Sequence, residues 1–192
     1  MSNPTELATL QDFTDILDGL GIAYAIGGSL ASSTYGAVRF TEDADVTVEP
    51  FDERAEELFQ SLKADYYISK EAMYQALRRR SSFNVIHLES AFKIDVFIRG
   101  DSAYDKQVMS RRKATRLSDS LDKQFLVVSP EDIILLKLQW YQAGGRSSQR
   151  QWDDVLGVLK IRAGTLDFAY MKKWASLLQV NDLLEEAVSQ SK

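Results

Sequence analysis

Apolar side chains at Leu7, Leu10, Phe13, Ile16, Leu17 and Leu20 recur every three or four residues, the spacing of one helix face, and Gly19 and Gly21 end the run. The pattern then changes. Residues 22–26 form an unbroken apolar stretch, read as a strand, and Gly27-Gly28-Ser29 turns the chain into a short helix over 29–35. In Asp43-Ala44-Asp45-Val46-Thr47-Val48, apolar and polar residues alternate with the period of a half-buried strand. A helix is predicted over 52–63, a strand over 66–68, a helix over 71–79, and strands over 83–88 and 92–98. In the last of these, Phe92, Ile94, Val96 and Ile98 take one side and Lys93, Asp95, Phe97 and Arg99 the other, so Asp95 lies off the main apolar face. Charged and polar residues dominate from 101 to 122, and a strand over 124–128 follows.

Beyond that strand the text reads as helix. Ser129-Pro130-Glu131-Asp132 combines a serine cap, proline at the first helical position and acids in the first turn. Gly144-Gly145 breaks this helix, Trp152, Val155, Leu156 and Leu159 mark the core stripe of the next, and helices over 166–178 and 181–188 complete the chain. The order of elements predicts an α/β fold: a small mixed sheet flanked by helices over residues 1–128, then a helical C-terminal subdomain over 129–192.

Composition narrows the function classes. A chain of 192 residues, 45% hydrophobic and 27% charged, can build one good core and is not of the disordered type. It has no cysteine, which excludes a disulfide framework, thiol chemistry and Cys-ligated zinc. Its first ten residues lack a basic patch followed by an apolar stretch, and no apolar run approaches the roughly 18 residues of a membrane span. The expectation is a cytoplasmic protein with no membrane partner. A net charge of -5 argues against nonspecific nucleic-acid binding through the whole surface, and Arg78-Arg79-Arg80 and Arg111-Arg112-Lys113 with Arg116 read as solvated helix ends.

The chemistry concentrates around two aspartates one residue apart. On a strand, Asp43 and Asp45 project to the same side while Ala44, Val46 and Val48 enter the core. Unscreened carboxylates about 4 Å apart repel by roughly 1 kcal/mol in water and about 4 kcal/mol at a partly buried site, so such a pair suits a bound cation. Asp95 joins them if its strand neighbours theirs, and three carboxylates are oxygen donors of the kind Mg2+ takes together with substrate phosphates. Gly27 and Gly28 let backbone approach a phosphate, and Ser29 opens a helix whose free amides point outward. Arg39 and Thr41 flank the aspartates, where they can touch phosphate, order the loop or simply face solvent. His87, the single histidine, reads as a partly buried, satisfied group; Trp140, Tyr141 and Trp152 read as core.

The order Gly-Ser, helix, Asp-x-Asp and a distant Asp resembles the DNA polymerase beta-like nucleotidyltransferase superfamily. Gly28-Ser29-Leu30-Ala31-Ser32, Phe83-Asn84-Val85-Ile86-His87-Leu88, Lys93-Ile94-Asp95-Val96-Phe97, Pro130-Glu131-Asp132-Ile133-Ile134-Leu135-Leu136-Lys137-Leu138 and Arg150-Gln151-Trp152-Asp153-Asp154-Val155 resemble an uncharacterised bacterial family related to the AbiEii and MenT toxin nucleotidyltransferases. The resemblance implies that Gly28 and Ser29 hold a nucleoside triphosphate, that Asp43, Asp45 and Asp95 bind the metal, and that Asp95 acts as base toward an acceptor. It also implies site roles for Lys137 and Asp154. Lys137 shares a helical face with Ile134, Leu138 and Tyr141 and reaches either a phosphate or water. On the helical wheel Asp154 falls opposite the Trp152 stripe, whereas Asp153 borders it.

The function expected is magnesium-dependent transfer of a nucleotidyl group to an RNA 3′ end, a protein hydroxyl or a small molecule. By analogy with the relatives a toxin role and a cognate antitoxin partner go with it. A noncatalytic nucleotide- or partner-binding module, such as an antitoxin or regulator, is the alternative.

Overall fold

The computed structural model of the protein describes residues 4–37, 41–118 and 122–191. Helices α1 (Pro4–Gly19), α2 (Gly28–Tyr35), α3 (Ala55–Leu62), α4 (Lys70–Arg79), α5 (Ala103–Ser110), α6 (Pro130–Ala143), α7 (Gln149–Arg162), α8 (Phe168–Leu177) and α9 (Asn181–Gln190) surround one sheet. Its strands are β1 (Tyr24–Ile26), β2 (Asp43–Val48), β3 (Tyr66–Ile68), β4 (Ser82–His87), β5 (Lys93–Ile98), β6 (Lys113–Thr115) and β7 (Phe125–Val127). Among the described residues the strand order is β3-β4-β5-β2-β1-β7-β6, a mixed sheet in which β2 pairs parallel to β5 and antiparallel to β1. The α/β class expected from the sequence is therefore the observed one.

Alternation fixes the two faces. Ala44, Val46 and Val48 of β2 and Ile94, Val96 and Ile98 of β5 are buried, while the residues between them are only half-buried. The apolar side is covered in part by α4 and α3, whose Met73, Ala76, Leu77, Leu58 and Leu62 join the core. On the C-terminal side, α2 packs on α6 and α7, with α7 against α9. Gly36, at the end of α2, lets α7 come close: a Cβ there would lie 2.8 Å from the backbone nitrogen of Val158.

Two elements lie in the polar stretch where none was expected. Helix α5 is set by a capping box, with the Ser102 hydroxyl accepting from the Asp105 amide and the Asp105 carboxylate accepting from the Ser102 amide, and it buries Tyr104, Val108 and Met109. Strand β6 is a short edge strand without alternating burial, held by antiparallel pairing to β7. The helix expected over 52–63 begins with a 3-10 turn at Asp52–Arg54 before α3.

Ser129 caps α6 by accepting from the Asp132 amide, but the acids of its first turn do more than face the helix dipole. Glu131 and Asp132 are buried and bind Arg111 at 3.0 and 3.3 Å, and Tyr170 donates to Asp132 at 2.6 Å. The Arg111 guanidinium also lies 3.9 Å from the centre of the Tyr170 ring. Arg111 is thus a fastener between α5, α6 and α8, a correction to its reading as a solvated helix end; only tertiary partners could reveal it.

Candidate active site

Strands β2 and β5 run parallel with Asp45 paired to Asp95 and Asp43 paired to Lys93. Paired residues on neighbouring strands stand about 4.8 Å apart and project to the same side. Four side chains, three acidic and one basic, therefore form a two-by-two patch on the half-buried face of the sheet. Thr41, itself buried, donates to the Asp43 carboxylate at 2.9 Å and orders that side chain. Asp95 is held from the other direction: Lys93 Nζ lies 2.7 Å from its Oδ2, and Asn84, its partner on β4, donates to its Oδ1.

The glycine turn is joined to this patch. The Gly27 amide donates to the Asp45 carbonyl at 2.8 Å. Gly28 adopts φ +54°, and a Cβ on it would lie 1.7 Å from Asp45 Oδ2. Glycine is required twice over at this position, for the left-handed backbone and for contact with the carboxylate. Ser29 follows in the first turn of α2, so the amides of the helix N-terminus open beside Asp45.

Lys137 approaches from α6. It is buried, its Nζ lies 2.7 Å from Asp154 Oδ2 of α7, and it donates to Gln151 Oε1 at 3.0 Å. Side-chain exposures of 5% and 9% make this a desolvated ion pair rather than a surface one, so the position of Lys137 is set by α7. Helix α7 turns the side opposite its Trp152 stripe toward Lys137. Asp153 is exposed and bonded to Gln149, whereas Asp154 turns inward. Helix α7 is covered on more than one side, by α6, α2 and α9, and a single apolar stripe does not describe it.

Burial pushes the Asp45 carboxyl above its ordinary range, reinforced by Asp43 and Asp95 and opposed by Lys137 and Lys93. The hydrogen bond with Asp95 raises Lys93. Excess negative charge beside a phosphate-type turn is the environment a divalent cation neutralises, and the donor set is the hard oxygen kind that magnesium takes. Among the described residues no group of three or more His, Asp or Glu is already arranged as a metal-ligand shell; Asp95 is instead turned to Lys93 and Asn84.

A cleft of about 450 Å³ opens from Gly28, Ser29, Asp45 and Lys137. It continues past Thr47 and Phe97 of the sheet to Val108 and Met109 of α5 and to Trp140 of α6. Asp43, Asp95 and Asp154 stand outside its lining, and Arg39 lies outside the described residues. Sequence reasoning placed Trp140 in the core, yet it is 62% exposed at the cleft. Ile133, Leu136, Lys137 and Trp140 form a second stripe on α6, at the i, i+3, i+4, i+7 spacing, that lines the cleft while Ile134 and Leu138 face the interior. Trp152 and Tyr141 do pack together, at 5.1 Å between ring centres. His87 is partly buried, with Ser90 at 2.8 Å from Nδ1. Lys93 and Phe97 were missed although they share the Asp95 side of the β5 alternation.

Compared by sequence, the chain matches no family profile and no curated protein. Compared by structure, it is similar to an antigenic nucleotidyltransferase-like protein from Paracoccidioides brasiliensis, with a TM-score of 0.55, 17% identity, and coverage of 97% of this chain and 93% of that one. It is also similar to ANT(2'')-Ia solved in complex with adenylyl-2''-tobramycin, with a TM-score of 0.59 and 13% identity over 91% of this chain and 97% of that one. A third likeness is to the lincosamide antibiotic adenylyltransferase LnuA in its lincomycin-bound form, with a TM-score of 0.51 and 15% identity over 83% and 98% of the two chains. The chain thus has a nucleotidyltransferase-like fold, and among its described residues no helix is long and apolar enough to cross a membrane.

Proposed function

We propose that this protein is a metal-dependent nucleotidyltransferase that moves a nucleotidyl group from a nucleoside triphosphate to an acceptor hydroxyl. The observation that carries it is the in-register pairing of Asp45 with Asp95, with Asp43 on the same face and the Gly28 turn against Asp45. Asp43, Asp45 and Asp95 would hold magnesium, which when bound offsets triphosphate charge and acidifies the acceptor hydroxyl. Ser29 and the first amides of α2 bind phosphate oxygens, and Lys137 neutralises charge on the same group. Asp154 acts through Lys137, fixing where its ammonium sits. Asp95 takes the proton as the acceptor oxygen bonds to the α-phosphorus, and the bond from that phosphorus to pyrophosphate breaks.

Finer parts of the reading rest on the sequence resemblance to AbiEii and MenT relatives: a toxin-like enzyme, RNA among the acceptors and a cognate antitoxin as partner; a cytoplasmic location and a catalytic core over 1–128 with a helical subdomain over 129–192 rest on the composition and the order of elements. The neighbours ANT(2'')-Ia and LnuA support small-molecule acceptors as well. One observation favours the noncatalytic module: Asp95 is already occupied by Lys93 and Asn84.

The test is incubation with magnesium and each labelled triphosphate in the presence of total RNA, total protein or a small-molecule extract. Label should move to one pool in the wild type, and the Asp43→Asn/Asp45→Asn variant should lose both transfer and metal-dependent triphosphate binding while staying folded. Tight nucleotide binding without transfer to any pool would establish the module instead.

A further inference from the structure

The lining of the cleft combines polar and apolar residues. Gly28, Ser29 and Lys137 make one part of it polar; Phe97, Val108, Met109, Leu136 and Trp140 make another part largely apolar, with Arg99 and Asp105 as its charged members. An apolar chamber does not suit phosphates, whose charge would be desolvated there. Arg99, the cation at this end, is engaged by Glu49 at 2.6 Å.

Trp140 stands three residues after Lys137 on α6, so the two side chains are neighbours on the helix surface, about 5–6 Å apart at Cβ. Unlike the other two tryptophans, Trp152 buried and Trp174 packed 5.0 Å from Tyr104, its large ring surface is left to solvent at the cleft. Phe97, two residues beyond Asp95, supplies a second aromatic ring in the same cleft. Phosphate-binding groups and aromatic surface in one continuous cleft match the two ends of a nucleotide.

We infer that Trp140, with Phe97, is the platform on which the nucleobase of the triphosphate stacks, the phosphates lying toward Gly28, Ser29 and Lys137. This rests on the nucleotide reading of the site. Stacking recognises a flat ring rather than a pattern of donors, so the chamber takes purines more tightly than pyrimidines because of their larger ring area. The acceptor is then left the opposite side of the aspartates, where Asn84 of β4 is exposed beside Asp95.

The probes are the four ribonucleoside triphosphates and inorganic tripolyphosphate, each titrated with magnesium by calorimetry and by tryptophan fluorescence. In the wild type, triphosphates should quench fluorescence and tripolyphosphate should bind without quenching. Trp140→Ala should weaken ATP about tenfold and leave tripolyphosphate unchanged, and Trp140→Phe should restore most of the ATP affinity. Equal effects of Trp140→Ala on ATP and tripolyphosphate, or no effect on either, would overturn the platform while leaving the phosphate site standing. If the wild type binds neither probe, the nucleotide reading falls and the platform with it.

Discussion

At the scale of single residues, Asp45 is where the constraints converge: its carbonyl fastens the glycine turn, its carboxylate abuts Gly28, and its neighbour across the strands is another acid. Its folded-state pKa is raised above the ordinary 3.8, chiefly by burial and then by Asp43 and Asp95. In the window above 3.8 the folded state therefore binds more protons than the unfolded one, and ionising Asp45 destabilises the fold as pH rises through the raised value. Asp45→Asn should raise the melting temperature at pH 7, and the gain should shrink to nothing as pH drops below 3.8; thermal scans across that range check the sign. Lys93 is the resident counter-charge of the patch, and the proposed metal ion would have to compete with it for Asp95. Lys93→Gln should tighten magnesium binding about twofold to fivefold by calorimetry, in keeping with one partly exposed ion pair removed.

At the scale of elements, Lys137 is positioned by two connections, its ion pair with α7 and the anchoring of α6 at its first turn. Arg111→Ala would leave Glu131 and Asp132 buried without their cation, and chemical denaturation should register a loss of about 3–5 kcal/mol. That anchoring was invisible to periodicity, because the arginine and its acids come from separate elements. Strands β2 and β5 and the cap of α6 could be read directly, since alternation and the Ser-Pro-Glu-Asp start are local signals. Helix α5 was hidden by its polar composition, and β6 by having no burial pattern of its own. The same limit explains the site. Asp43, Asp45, Gly28 and Ser29 announce themselves within a short stretch, but the exposure of Trp140 and the inward turn of Asp154 depend on how α6 and α7 pack on α2.

At the scale of the whole molecule, bound ligand should act as a stabiliser. Magnesium with ATP at a hundred times its dissociation constant should add about 2.7 kcal/mol, shifting the melting temperature by several degrees; Asp43→Asn/Asp45→Asn should show no shift. The parallel pairing of β2 with β5 carries a further consequence. Because the chain leaves β2 and returns beside it only after α3, β3, α4 and β4, facing the second aspartate to the third requires closing that whole excursion. Such a distant closure is slow to form. A nascent or partly denatured chain can hold its glycine bend against β2 and still lack Asp95, so the proposed chemistry would have to wait for that remote strand to arrive.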